Sequence, residues 1–253
     1  MKTRTVELVA SPKEPHFVGD GFRVHNFIPS GYRLDMQRVN PFILLDYNSP
    51  YKFPASSQPK GVGVHPHRGF ETVTIAYKGK VEHHDSSGGG GVIGEGDVQW
   101  MTAASGVLHK EYHEREWSKT GGEFQMVQLW VNLPAKDKMS SPKYQAIKNK
   151  DIPRQVLENN AGEIEVIAGS YKHVQGVAST FTPWHMMNAK LNKGGKIDFD
   201  FPAHYNTVLL VLEGSIVING SEKTPNNHLV LMANDGENFT IEASEDSVVL
   251  VLS

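Results

Sequence analysis

The chain has 253 residues, enough for one large domain or two modest ones, and its 25 basic and 28 acidic side chains give a formal charge of −3. Its lysines and arginines are scattered, and no basic run could track a phosphate backbone, which argues against direct nucleic-acid binding. Cysteine is absent, so disulfides, zinc fingers and thiol catalysis are excluded, and any metal must be held by histidines and carboxylates.

The opening stretch, MKTRTVELVASPKEP, lacks the apolar core and small-residue cleavage site of a signal peptide. No apolar run approaches the ~20 residues of a membrane span. A cytoplasmic chain without membrane association is expected.

From residue 61 onward the texture is one of short alternating or β-branched runs between glycine, proline and asparagine. GVGVHPHRGFETVTIAYKGKVEHHDS (61–86), GGVIGEGDVQWMTA and FQMVQLWVNLP come first; IEVIAGSY, NTVLLVLEGSIVING, NFTIEA and SVVLVLS follow. Strands of this length and spacing predict an all-β sandwich or barrel rather than βαβ units. Between Pro134 and Pro153 the chain is rich in lysine and proline, and SPKYQAIKNKDIP has room for one or two helical turns. This predicts a first domain over 1–137, a linker over 138–153 and a second domain over 154–253.

The sequence also repeats. ETVTIAYKG (71–79) and NTVLLVLEG (206–214) share a Thr-Val pair and a closing glycine in register, which points to two copies of one β-barrel. In that register His65 and His67 fall opposite Asp200 and Pro202, so one barrel carries a histidine pair that the other lacks.

Six of the 12 histidines lie between His65 and His113. Residues two apart on an extended chain project to one side, so His65 and His67 share a face. His109 and Glu111 share another, and that face could look at the first pair across a barrel interior. Three neutral imidazoles and a carboxylate suit Fe(II), Mn, Co, Ni, Cu or Zn, and iron with open positions points to dioxygen chemistry. His83, His84 and Asp85 read as polar hairpin residues before SSGGGG, and His113 as solvated chain beyond the site. The glycine run 88–91 lacks the Gly-Lys-Ser/Thr ending of a phosphate cradle, and no G-x-S-x-G elbow occurs.

HPHRGFETVT, GDVQWMTA and SGVLHKE together resemble the metal-binding stretches of the pirin family within the cupin superfamily, including bacterial pirin-like quercetinases. The likeness is strong over residues 15–135 and collinear, though weaker, beyond. It implies an all-β bicupin: two antiparallel double-stranded β-helix barrels packed face to face. One divalent metal, Fe2+ ahead of Ni2+, Mn2+, Co2+, Cu2+ or Zn2+, would sit in the amino-terminal barrel on His65, His67, His109 and Glu111. A general cupin pattern would nominate Glu71 as the carboxylate ligand; the resemblance favours Glu111 and leaves Glu71 a buried hydrogen-bonding or strand-end residue.

The resemblance further implies a dioxygenase that cleaves quercetin or a related flavonol, or, as the alternative, a metal-bearing regulatory protein that docks on a transcription factor or enzyme. For the enzyme, the flavonol 3-hydroxyl enters an open metal position and is acidified there. Glu111 takes its proton as the catalytic base, and dioxygen then opens the heterocycle with loss of carbon monoxide. Phe70, Trp100, Met101 and Phe124 are candidates for the apolar lining of the pocket. The expected partners are a small aromatic substrate and dioxygen, a protein partner in the regulatory case, and a monomeric state. The chain departs from the resemblance at two places: relatives continue past SVVLVLS into a tail, and the SSGGGG spacer predicts a mobile rim.

Overall fold

The computed structural model describes residues 2–29 and 34–253. Among these, strands dominate, with one short α-helix, α1 (Arg115–Thr120). No described helix is long and apolar enough to cross a membrane. The chain divides into two compact units, residues 13–36 with 40–151, and residues 1–12 with 37–39 and 152–253. The opening strand, β1 (Val6–Ala10), belongs to the second unit.

The first unit contains β2 (His16–Val18), β3 (Phe22–Ile28), β4 (Phe42–Phe53), β5 (Gly61–His67), β6 (Phe70–Lys78), β7 (Val81–Asp85), β8 (Gly90–Ile93), β9 (Val98–Thr102), β10 (Val107–His113), β11 (Gly122–Asn132) and β12 (Lys143–Ile147). They form a seven-stranded sheet, β12-β9-β6-β11-β4-β3-β2, and a four-stranded sheet, β5-β10-β7-β8, both antiparallel. Alternation sets the faces. In β10, Val107, His109, Glu111 and His113 are buried while Leu108 is exposed, as a period-two strand with one solvated face requires. One end is filled by a cluster of Phe22, Val24, Phe53, Ala76, Val81, Ile93, Phe124 and Met126.

The second unit contains β13 (Arg154–Val156), β14 (Gly162–Ala168), β15 (Ser170–Tyr171), β16 (Val174–Gln175), β17 (Met186–Leu191), β18 (Lys196–Asp200), β19 (Val208–Glu213), β20 (Ser215–Ile218), β21 (Glu222–Pro225), β22 (His228–Met232), β23 (Asn238–Ala243) and β24 (Ser247–Leu252). Its sheets are β1-β22-β19-β24-β17-β14-β13 and β18-β23-β20-β21, with β15 and β16 as a separate pair. Position by position these orders match those of the first unit: β19 stands where β6 stands, β18 where β5 stands and β23 where β10 stands. The repeat read between 71–79 and 206–214 therefore lies on equivalent strands, and both units are cupin-type barrels.

Two boundaries differ from the sequence reading. Residues 138–153 are not a bare linker, because Lys143–Ile147 pairs with β9 from Lys143↔Thr102 to Ile147↔Val98 and completes the first unit's large sheet. Conversely, residues 1–12 serve the second unit. β1 pairs with β22, and the wholly buried guanidinium of Arg4 donates to the carbonyls of Gly236, Tyr205 and Pro202 and to the Thr207 hydroxyl. β12 and β1 occupy equivalent edge positions in the two sheet orders. Each large sheet thus takes one edge strand from a segment outside the bounds read for that domain in the sequence.

Candidate metal centre

The site is built on β5 and β10. Backbone pairing sets His65 against His109 and His67 against Val107, and then jumps to Glu111 against Val62. Two steps on β10 are matched by three on β5, so β5 carries a bulge around Gly63 and Val64. The bulge is why Val62 and the odd-numbered His65 and His67 all face one cavity. Gly61, at the start of β5, lies so close to β10 that a Cβ there would sit 2.1 Å from the Glu111 carbonyl oxygen.

The three imidazoles converge. One nitrogen from each of His65, His67 and His109 lies within 4.8 Å of the others, and the ring centroids are 4.6–4.9 Å apart. His67 and His109 are buried, at 5% and 1% exposure. The Nδ1 of His65 lies 2.8 Å from the Gly63 carbonyl oxygen, which can only accept, so in the neutral ring Nε2 carries the lone pair. Among the described residues neither nitrogen of His67 has a hydrogen-bond partner. His109 Nε2 meets only Glu111 Oε2 among the described residues, at 3.5 Å, too long for a strong hydrogen bond. Buried imidazoles left this way are costly unless something shared satisfies them, and a cation between the three is the chemistry that fits.

The electrostatics agree. Burial first, then His109 and His65, pushes the His67 pKa down to about 3, so the ring is neutral with its lone pair available. Burial pushes the Glu111 carboxyl up, but its contact with His109 outweighs this, helped by His83 and His65, and the net shift is downward. Glu111 Oε1 lies 3.3 Å from the Thr74 hydroxyl, which donates to Gln128 Oε1 at 2.5 Å. Glu71 stands apart: it is buried and accepts a hydrogen bond from the Thr102 hydroxyl at 2.6 Å.

Behind the site lies a group that the sequence reading took for polar hairpin residues. His83 is buried at 4% exposure, and its Cα pairs with that of Glu111. Its ring stacks on Tyr144 with centroids 5.0 Å apart, and its Nδ1 is 2.8 Å from the Tyr144 hydroxyl. That hydroxyl also accepts from Gln99 Nε2 at 2.9 Å. Burial, ahead of the neighbouring His109 and His84, lowers the His83 pKa to about 4. The missed signal was parity, for Val81 and His83 share a face in VEHHD. His84 does face outward, beside Glu82. Asp85 caps the turn before the glycines, accepting from the Ser87 and Gly89 amides.

His113 is likewise buried rather than solvated. It is packed among Phe22, Phe53, Trp117 and Phe124, with its Nε2 2.8 Å from the Gly21 carbonyl. It continues the inward parity of His109 and Glu111.

A cavity of about 280 Å³ opens onto His65, His67 and Glu111. Its apolar wall is Val18, Phe22, Val24, Leu44, Val62, Met126 and Trp130, and Asp46 and Gln128 add polar groups. The lining residues expected from sequence do not form it. Trp100, Met101 and Phe124 are fully buried in the core, while Phe70 stands behind the wall, stacked on Trp130 at 4.5 Å and edge-on to His67 at 5.3 Å.

Comparison with known proteins is consistent with this geometry. The family model described as Pirin matches residues 21–131, and the Pirin C-terminal cupin domain matches residues 186–253. A Pseudomonas aeruginosa protein named "Putative quercetin 2,3-dioxygenase" is 49% identical over 238 residues, covering 94% of this chain and 82% of that protein. An Arabidopsis thaliana protein named Pirin-like protein 2 is 36% identical, covering 92% and 70%. A crystal structure titled as quercetin 2,3-dioxygenase from Acinetobacter baumannii superposes with a TM-score of 0.94 at 46% identity, covering 99% of this chain and 86% of that one.

Proposed function

The chain belongs to the pirin family, and from that premise and the imidazole cluster we propose that it is a metal-dependent dioxygenase acting on quercetin or a related flavonol. The observation that carries this reading is the convergence of His65, His67 and His109 on one another, with both His67 nitrogens buried and unpartnered among the described residues. Their neutral nitrogens and the Glu111 carboxylate are the ligands, and Fe2+ suits this donor set. Bound there, the ion would supply a Lewis acid for an enolic hydroxyl and a redox partner for dioxygen.

The remaining work belongs to the protein. The apolar wall accepts a flat aromatic ring and keeps water from it. Trp130 is held firm for that contact by its stack on Phe70. Glu111 is the base that takes the proton of the flavonol 3-hydroxyl. Thr74, whose hydroxyl proton goes to Gln128, lies 3.3 Å behind the carboxylate. The His83–Tyr144–Gln99 chain joins β7 to β12 and β9 behind the site.

The test is anaerobic Fe(II) loading followed by admission of air while quercetin absorbance is followed. The enzyme reading predicts bleaching by the wild type and none by a folded His67→Ala variant. No turnover with any first-row metal would contradict it and leave the regulatory role.

A further inference from the structure

A row of polar side chains crosses the large sheet of the first unit. In pairing register Asn26 on β3 stands beside Asp46 on β4, Asp46 beside Gln128 on β11, and Gln128 beside Thr74 on β6. Two members of this row, Asp46 and Gln128, line the same cavity as His65 and His67. The imidazoles come from the four-stranded sheet, whereas Asp46 and Gln128 come from the seven-stranded one.

Both residues are half satisfied by the protein. Asn26 Nδ2 donates to Asp46 Oδ1 at 2.6 Å, while Oδ2 receives no hydrogen bond from any described residue. Gln128 Oε1 accepts from the Thr74 hydroxyl, which fixes the amide and leaves its Nε2 without an acceptor among the described residues. One open acceptor and one open donor thus stand side by side on a wall that is otherwise apolar. A polar pair of this kind is costly in such a wall unless it meets a complementary group. A phenolic hydroxyl complements both, because it donates one hydrogen bond and accepts another.

We propose that Asp46 and Gln128 are specificity-determining residues that recognise a phenolic hydroxyl on a ligand ring other than the one directed to the imidazoles. The proposal rests on the flavonol reading above and deepens it: the site selects polyhydroxylated aromatics over those carrying only the enolic hydroxyl. Asp46 Oδ2 accepts the phenolic proton, and Gln128 Nε2 donates to the phenolic oxygen. Burial, ahead of the opposing Asn26 hydrogen bond, pushes the Asp46 carboxyl pKa up, as suits a group desolvated on an apolar wall. Sites that hydrogen-bond a ligand hydroxyl reject analogues lacking it more strongly than apolar pockets reject a missing methylene.

The experiment uses nickel-loaded protein under anaerobic conditions, with quenching of tryptophan fluorescence as the binding signal. Quercetin and 3-hydroxyflavone are the two probes, since they share the enolic hydroxyl and differ in the phenolic ones. The wild type should bind quercetin at least tenfold more tightly. Asp46→Asn keeps the shape, accepts from Asn26 and turns a donor toward the cavity, so the preference should shrink toward unity. Gln128→Met, which removes the donor, should reduce it as well. Nickel content near one per chain and an unchanged far-ultraviolet spectrum show that each variant is folded and loaded. Binding of both probes with the same preference in wild type and variants overturns the inference and leaves the flavonol reading standing. Binding of neither probe by the wild type overturns both.

Discussion

At the scale of single residues, the account depends on three converging imidazoles, of which His67 has no hydrogen-bond partner among the described residues. His65→Ala, His67→Ala and His109→Ala should each abolish stoichiometric metal uptake, while His84→Ala, on the outward side of β7, should not; elemental analysis of the purified variants decides this. Retained metal in His67→Ala would be inconsistent with the ligand set. Tyr144 gives a second handle. Its hydroxyl joins His83 Nδ1 and Gln99 Nε2, both in buried residues, so Tyr144→Phe strands a donor and an acceptor. Losses of this type cost about 1–3 kcal/mol, which denaturant unfolding would register as a lowered midpoint with an unchanged slope. The histidine pair was legible in the sequence because H-x-H needs only strand parity. Tyr144 was not, since nothing local marks a tyrosine in a lysine-rich stretch as the partner of a histidine 61 residues away.

At the scale of elements, strand alternation showed where most strands lie but not which of them pair. KYQAI is half exposed because it lies at a sheet edge, and so it read as a linker. The parity of VEHHD was available, yet two adjacent histidines before a glycine run resemble a solvated turn. The β5 bulge could not be foreseen either, because a bulge is defined against the partner strand.

The junction between β9 and β12 offers a pH test. Asp97 accepts from the amides of Gly94 at 3.0 Å and Asn149 at 2.9 Å, and from Lys148 Nζ at 2.9 Å. Burial alone would raise its pKa, but these donors outweigh it and the net shift is downward from 3.8. A pKa depressed by folding means that the contribution is complete above the unfolded value and is lost as pH falls through the folded one. Asp97→Asn should therefore cost about 1 kcal/mol near neutrality, and the gap from wild type should close below about pH 4. Urea midpoints of the two proteins across that range would show it; a gap that widened on acidification would contradict it.

At the scale of the whole molecule, one barrel design appears twice with different interiors. Where the first unit sets His65 against His109, the second sets Asp200 against Asn238. Its interior is closed by Phe199, Phe201 and Phe239, stacked within a continuous apolar cluster. The loss of the pair opposite Asp200 and Pro202 was visible in the sequence; the aromatic filling that replaces it needed the fold. The division of labour predicts a single metal per chain, in the first barrel only.

The most direct measurement is anomalous diffraction at the absorption edge of the loaded metal, from crystals of the wild-type chain. The account predicts one strong peak per chain, within about 2.0–2.3 Å of a nitrogen from each of His65, His67 and His109, with the Glu111 carboxylate turned toward it. A peak elsewhere, or none in a protein that superposes on this fold, would contradict it.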